Sequence, residues 1–336
     1  MQYLYGLPAL VIALSTLYSV QCRNYGHRGS VLGASQYHNH LPAPLMDHHR
    51  LPKHFSWCSN GADNLCTPSW NQHIPVYCGS CWAHGSTHMV QDRLKIAKKG
   101  MGPDVMLSRQ ALLNCGAYHG FGDGCNGGDV FDMFGYMTQF GLPDESCMIY
   151  TASDHHVFPE GLKQCPDTAF CRNCNSNNES DPGTCWAVKP PVTYKLKHWG
   201  RIEPSNVHGM MSEIKQRGPI TCSIACPDDF IFNYTGGVYT DKNNSTDVDH
   251  DVEVVGWGHE DGKDFWHVRN SWGTFWGELG FFKLEMGVNT LQIESGDCWY
   301  AVPEYEVEME VREGNLVGSM YGLIPRNHSA PQVSIA

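Results

Sequence analysis

The segment from Asn71 to His84, NQHIPVYCGSCWAH, constrains the fold of this chain more than any other. A Cys-Gly-Ser-Cys turn runs directly into a helical pattern. Apolar or small side chains recur at Trp82, Ser86, Met89, Val90, Leu94 and Ala97, and Gly100 suits the C-terminal end. The spacing predicts a helix that starts at Cys81. A thiol there faces the positive end of the helix dipole, which favours the thiolate that nucleophilic chemistry needs. Gln72, a short way upstream, can offer an amide N–H to a developing oxyanion. Cys81 could instead form a redox couple with Cys78, but no thioredoxin-like strand leads into the turn and Pro75 does not suit one.

Three downstream segments extend the pattern. GCNGG, from Gly124 to Gly128, places two residues without side chains where a substrate backbone can approach and pair. VDHDVEVVGWG, from Val248 to Gly258, is a strand-like run carrying His250. VRNSWGTFWGELGFF, from Val268 to Phe282, carries Asn270. Taken in order, Gln, Cys, Gly-Gly, His and Asn resemble the papain-like cysteine peptidases over roughly residues 51–298. The resemblance implies an α+β fold, papain-like and two-lobed, with a helical left lobe, an antiparallel β-barrel-like right lobe and the cleft between them. It also implies roles. Cys81 is the nucleophile, His250 takes and returns its proton, and Asn270 orients the imidazole under the cover of Trp272. Gln72 and the Cys81 backbone N–H form the oxyanion site, and Gly127 and Gly128 line the substrate cleft.

The chain has 336 residues and a formal net charge of −12, from 23 basic and 35 acidic residues. That balance argues against nucleic acid or an anionic membrane surface as partner. The apolar run from Leu4 to Val20 resembles a signal peptide rather than a stable membrane anchor. Residues 1–20 therefore read as signal and 21–50 as a short pro-segment rich in Gly, His and Pro. Residues 51–191 read as a helical lobe with a disulfide-stapled insertion, 192–302 as the β-rich lobe, and 303–336 as an acidic extension. In that extension, Glu304 to Glu313 alternates acidic and apolar residues and suits an edge strand.

Fifteen cysteines fit an oxidising compartment, lysosomal or extracellular. By resemblance they pair as Cys78–Cys125, Cys115–Cys165, Cys147–Cys171, Cys174–Cys185 and Cys222–Cys298. Cys58 and Cys66 could close a small loop, and Cys226 has no obvious partner. A Cys22–Cys81 bond would cap the nucleophile in a zymogen. Sequons stand at Asn178, Asn233, Asn243, Asn244 and Asn327, and of the overlapping Asn243 and Asn244 only one, Asn244, is expected to be occupied. No metal and no organic cofactor is expected.

Specificity is suggested by an insertion. Nine positions separate Gln72 from Cys81, three more than the family's usual spacing. The extra His-Ile-Pro should bulge on the leaving-group side, where His73, as a cation or a hydrogen-bond donor, could capture a free C-terminal carboxylate. The insertion, the short pro-segment and the cysteine spacing resemble a carboxypeptidase branch of the family. In that branch Tyr77 helps bind the carboxylate and Trp272 lies beside the pocket. The expected substrates are peptide and protein C-termini at acidic pH, with cysteine-protease inhibitors as further partners and a monomer as the working unit. The alternatives are an endopeptidase or dipeptidase of the same fold, or a non-catalytic binding protein. Asp251 is the main departure, because the family has a small apolar residue after the His. A buried Asp needs a partner, and Arg269 or His267 could serve unless the strand is unusually wet.

Overall fold

The computed structural model describes residues 42–58, 64–154, 171–175, 183–188, 192–319 and 322–326. The apolar leader, most of the pro-segment including Cys22, Cys165, Asn178 and Asn327 lie outside the described residues.

The chain enters through β1 (Phe55–Ser56) and builds three helices, α1 (Cys81–Ala97), α2 (Arg109–Tyr118) and α3 (Val130–Gln139). Short strands follow: β2 (Leu142–Pro143), β3 (Arg172–Asn175), β4 (Thr184–Ala187) and β5 (Thr193–Tyr194). The remainder is mostly sheet. It comprises β6 (Leu196–Arg201), α4 (Val207–Arg217), β7 (Ile220–Ala225), α5 (Asp228–Asn233), β8 (Val238–Tyr239), β9 (Val248–Glu260), β10 (Lys263–Arg269), β11 (Phe281–Glu285) and β12 (Cys298–Pro303). The chain closes with α6 (Glu306–Glu313), β13 (Leu316–Ser319) and β14 (Gly322–Pro325).

One eight-stranded sheet runs β6-β12-β7-β9-β10-β11-β8, with β1 added to β9. It is antiparallel except where β11 meets β8. Two separate apolar cores result. The helical lobe packs Met89, Val90, Leu94, Leu112, Phe134 and Met137 together. The sheet lobe packs Ile220, Phe230, Val252, Val254, Trp266 and Phe282. This is the α+β, two-lobed architecture the sequence implied.

α1 departs from a simple apolar stripe. Every residue from Cys81 to Leu94 is buried, polar ones included. The helix forms the wall between the lobes, so its polar face needs internal partners. Gln91 accepts from the Leu107 N–H at 2.7 Å. Asp92 accepts from both the backbone and the hydroxyl of Thr67 at 2.7 Å. Arg93 donates to Pro219 O and Ala301 O, each at 2.8 Å, and pairs with Glu213. The Arg93 bonds cross to the other lobe and hold the two lobes in register.

The tail corrects one expectation. Residues 306–313 form α6, not an edge strand. Glu, Met and Arg favour helix, and the Met309 N–H donates back to Tyr305 O at 2.9 Å, a helical spacing. Among the described residues no sheet edge pairs with this stretch.

Disulfides join Cys58–Cys66, Cys78–Cys125, Cys147–Cys171 and Cys222–Cys298. Cys115 and Cys174 are also disulfide-bonded, and Cys174 lies opposite Cys185 in the β3–β4 ladder. Cys226 is a free thiol. The one group among the described residues spaced to hold a metal is Cys58, Cys66 and Asp92, and its two sulfurs are joined in a disulfide. No helix among the described residues is long and apolar enough to cross a membrane.

Candidate active site

Cys81 is the first residue of α1, as the spacing predicted, and is 1% exposed. The turn before it is pinned to the Gly124–Gly128 loop. The Gly79 N–H donates to Cys125 O at 2.8 Å, and the Cys78–Cys125 disulfide holds the same pair of segments. A side chain at residue 79 would meet Cys125 O at 2.7 Å, so only glycine fits. On the same loop, Gly127 has φ of 121°, a conformation that favours glycine. Gly128 lies against the buried Trp82 ring.

The imidazole comes from the other lobe. His250 on β9 is fully buried, and its Nε2–H donates to Asn270 Oδ1 at 2.8 Å. That bond directs Nδ1 away from Asn270 and toward Cys81. Asn270 Oδ1 also accepts from the Ser271 N–H at 2.8 Å, which fixes the amide. Trp272 stacks on the His250 ring at 4.8 Å, with 26° between the planes. Burial works against the imidazolium, but hydrogen bonding and charge from Cys81, with Asn270 and Asp249, outweigh it and raise the His250 pKa. The environment thus favours a thiolate–imidazolium pair.

Gln72 ties the lobes together. Its Nε2 donates to Cys78 O at 3.0 Å, and its Oε1 accepts from Ser271 Oγ at 2.6 Å. Its backbone O accepts from Tyr150 Oη at 2.7 Å, and the same hydroxyl lies 2.8 Å from Ser80 Oγ. Tyr150 therefore links Ser80, the residue before Cys81, to Gln72. Nothing in the sequence flagged Tyr150, which lies 78 residues from Gln72.

The insertion stands out from the surface, with Ile74, Val76 and Tyr77 each more than half exposed. His73 and Tyr77 come together as expected, their rings stacked at 4.8 Å and 7° apart. Neither ring nitrogen of His73 has a hydrogen-bond partner. Burial, and then the field of His250, lowers its pKa to about 4. Above that pH, His73 of the unliganded protein is a neutral donor rather than the cation the sequence allowed.

Asp251 is 2% exposed, so the strand is not wet there. Its partner is neither Arg269 nor His267. Ser223 Oγ donates to Asp251 Oδ1 at 2.6 Å, because β7 and β9 pair Ser223 opposite Asp251. Burial pushes the Asp251 pKa up to about 7. Arg269 is used elsewhere, pairing with Asp92 at 2.7 Å and Glu253 at 3.2 Å. His267 lies 3.0 Å from Ser56 Oγ. Asn233 and Asn244 are exposed and so accessible to glycosylation.

The family profile for papain family cysteine proteases matches residues 51–301. A cathepsin Z of Onchocerca volvulus is 34% identical over 288 residues, which cover 83% of this chain and 87% of the relative. A cathepsin B-like cysteine proteinase 6 of Caenorhabditis elegans is 34% identical over 231 residues, covering 65% of this chain and 59% of the relative. Among solved structures, the digestive procathepsin L 3 of Tenebrio molitor larval midgut superimposes with TM-score 0.59 at 25% identity, covering 79% of this chain and 75% of that one. The bromelain protease of Ananas comosus gives 0.55 at 25% identity, covering 75% and 99%. With the match spanning both lobes, and a related peptidase aligned along most of its length, the chain belongs to the papain family of cysteine proteases.

Proposed function

We propose that this cysteine peptidase acts as a carboxypeptidase of the cathepsin Z (cathepsin X) type, removing residues from free C-termini at acidic pH. Cys81 Sγ, as thiolate, attacks the carbonyl carbon of the last peptide bond. The tetrahedral oxyanion is held by the Gln72 amide and the Cys81 N–H. The C–N bond breaks as His250 gives its proton to the leaving amine, and water then hydrolyses the thioester with His250 as base. Asn270 and Trp272 hold the imidazole through both steps. The secretory pathway delivers the enzyme to the lysosome or outside the cell as a zymogen, with Cys22 capping Cys81 until it is reduced.

The observation that carries this reading is His73. It sits in an insertion beside Cys81, stacked on Tyr77, with both ring nitrogens lacking hydrogen-bond partners. A substrate carboxylate would supply the acceptor, and its charge would draw His73 toward the imidazolium form. The test compares a peptide with a free C-terminal carboxylate and its amide, at acidic pH under mild reduction, in wild type and His73→Ala. Loss of one residue from the free acid alone, with that selectivity lost in His73→Ala, supports the assignment. Internal cleavage of both peptides points to an endopeptidase. Cleavage of neither, with Cys81 inert to a thiol-reactive probe, points to a non-catalytic binding protein.

A further inference from the structure

Ser80 stands at the N-cap of α1, directly before Cys81, yet its hydroxyl makes no capping bond to the helix. A serine there ordinarily accepts from an amide of the first turn. Here the hydroxyl is committed elsewhere. It lies 2.8 Å from Tyr150 Oη and 3.2 Å from His84 Nδ1. His84 is one turn into α1, and its Nδ1 lies 2.9 Å from Ser80 O. At the other end, Tyr150 Oη lies 2.7 Å from Gln72 O. All four residues are buried.

The direction of each bond follows from its ends. Gln72 O and Ser80 O are carbonyl oxygens and can only accept. Tyr150 has one hydroxyl proton, and it goes to Gln72 O. The proton between Ser80 and Tyr150 is therefore the one on Ser80 Oγ. His84 faces a carbonyl, so its Nδ1 carries the ring proton and donates to Ser80 O and, at longer range, to Ser80 Oγ. Burial, and then the charge of Arg109, hold the His84 pKa well below the usual imidazole range, so the ring is neutral. Burial also raises the Tyr150 pKa, so the phenol keeps its proton. The donors thus point one way, from His84 through Ser80 and Tyr150 to Gln72, and bonds in such a chain strengthen one another. Tyr150 is itself fixed. Its N–H donates to Glu145 Oε1 at 2.6 Å, and its ring stands edge-on to His84 at 4.8 Å.

We propose that Tyr150 is a positioning residue for the oxyanion site, its hydroxyl setting where the Gln72 amide lies relative to the Cys81 N–H. The two oxyanion donors come from separate segments. Gln72 precedes the insertion, and Cys81 opens α1. The link between them is lengthened by His-Ile-Pro, and Ile74, Val76 and Tyr77 within it are more than half exposed. A longer link constrains its ends less. Beyond the Gln72–Cys78 bond, Tyr150 closes this loop from the inside, bonding Gln72 at one end and Ser80 at the other. The proposal rests on the oxyanion roles given above to Gln72 and Cys81, and not on which peptide bond is cut.

Tyr150→Phe removes the hydroxyl and keeps the ring that packs on His84. With a peptide substrate, kcat should fall about tenfold or more while KM changes less than about twofold, since a displaced oxyanion donor costs less than a deleted one. Gln72→Ala and the double variant are measured beside it. Tyr150 acts through Gln72, so the double variant should be no slower than Gln72→Ala alone. Alkylation of Cys81 by iodoacetamide forms no oxyanion, and its rate in Tyr150→Phe should stay within about twofold of wild type. If Tyr150→Phe does not fold, Ser80→Ala cuts the same chain one link earlier and gives the same comparisons. A kcat within twofold of wild type overturns the proposal. So do losses that multiply in the double variant, or an alkylation rate that falls as far as kcat. A normal kcat in Gln72→Ala would instead remove the oxyanion assignment itself.

Discussion

Asn270 Oδ1 lies 2.8 Å from His250 Nε2 and accepts from the Ser271 N–H at the same distance. The amide is thus anchored by its own chain before it holds the imidazole, and the ring has one preferred orientation. Asn270→Ala should keep the fold but lower kcat by about 10- to 100-fold, the scale of a misoriented general base, with KM changed much less. Steady-state kinetics with the active thiol titrated by an irreversible probe would measure it. A kcat within twofold of wild type would remove the orienting role.

Asp251 has an ordinary carboxyl pKa when unfolded and about 7 when folded. The folded state therefore holds a proton that the unfolded state has released, and stability falls as pH rises from about 4 to 7. Asp251→Asn removes this dependence while keeping an acceptor for Ser223. Its melting temperature should exceed wild type by more at pH 8 than at pH 5, with the stability gap widening by about 2–3 kcal/mol at ~1.4 kcal/mol per pKa unit. A gap that does not change with pH would show that Asp251 is solvated in the folded protein.

His267 has the opposite sign. Burial lowers its pKa to about 4, so it stays neutral in the folded state where the unfolded chain binds a proton. Its share of stability is full above the unfolded value of 6.5 and is lost as pH falls toward 4. His267→Gln, which can still bond Ser56, should flatten the acid limb by about 1–2 kcal/mol, a figure kept below the full shift because the ring is not wholly enclosed. Urea unfolding at pH 4.5 and 7 would read the difference, and parallel acid limbs would contradict it.

Arg269 is buried and pairs with two buried carboxylates on different elements, Asp92 on α1 and Glu253 on β9. Arg269→Met strands both acids and should cost about 3–5 kcal/mol. The triple change Arg269→Met, Asp92→Leu and Glu253→Leu should recover a large part of that loss. Chemical denaturation of the variants would show it. A single variant as stable as wild type would mean that the network adds nothing.

Gly128 has no room for a side chain. An added Cβ would meet the Trp82 ring at 2.7 Å, and Trp82 is fully buried. Gly128→Ala should displace either the loop or Trp82, the residue after the nucleophile. It should lower stability by about 1–3 kcal/mol and activity with it, as overpacking does. Thermal melting and activity measured together would check this, and an unchanged pair of values would refute it.

Local chemistry is what the sequence by itself determined. The helix start at Cys81 and the strand carrying His250 follow from local residue pattern, whereas the resemblance to the family singled out His250 itself, Asn270 and the bulge at His73; in the structure His250 meets Asn270 and His73 stacks on Tyr77. The tail was harder to read, because alternating acidic and apolar residues fit a period of two while Glu, Met and Arg favour a helix. Without a sheet edge to pair with, the helical preference prevailed.

Only the tertiary structure decided how distant segments register. Ser223 meets Asp251 because β7 and β9 pair in one frame, and a one-residue slip would have presented a different side chain. Tyr150 joins Gln72 to Ser80 only after the helical lobe has packed. Arg269 was one of two candidate partners for Asp251, yet it lies against Asp92 and Glu253, because the wall helix α1 brings an acid to it. The polar face of α1 is likewise buried in the fold, where Thr67, Leu107 and, across the lobes, Pro219 and Ala301 supply its partners. Such pairings depend on cross-strand register and on the packing of one lobe against the other, neither of which any local window of sequence contains.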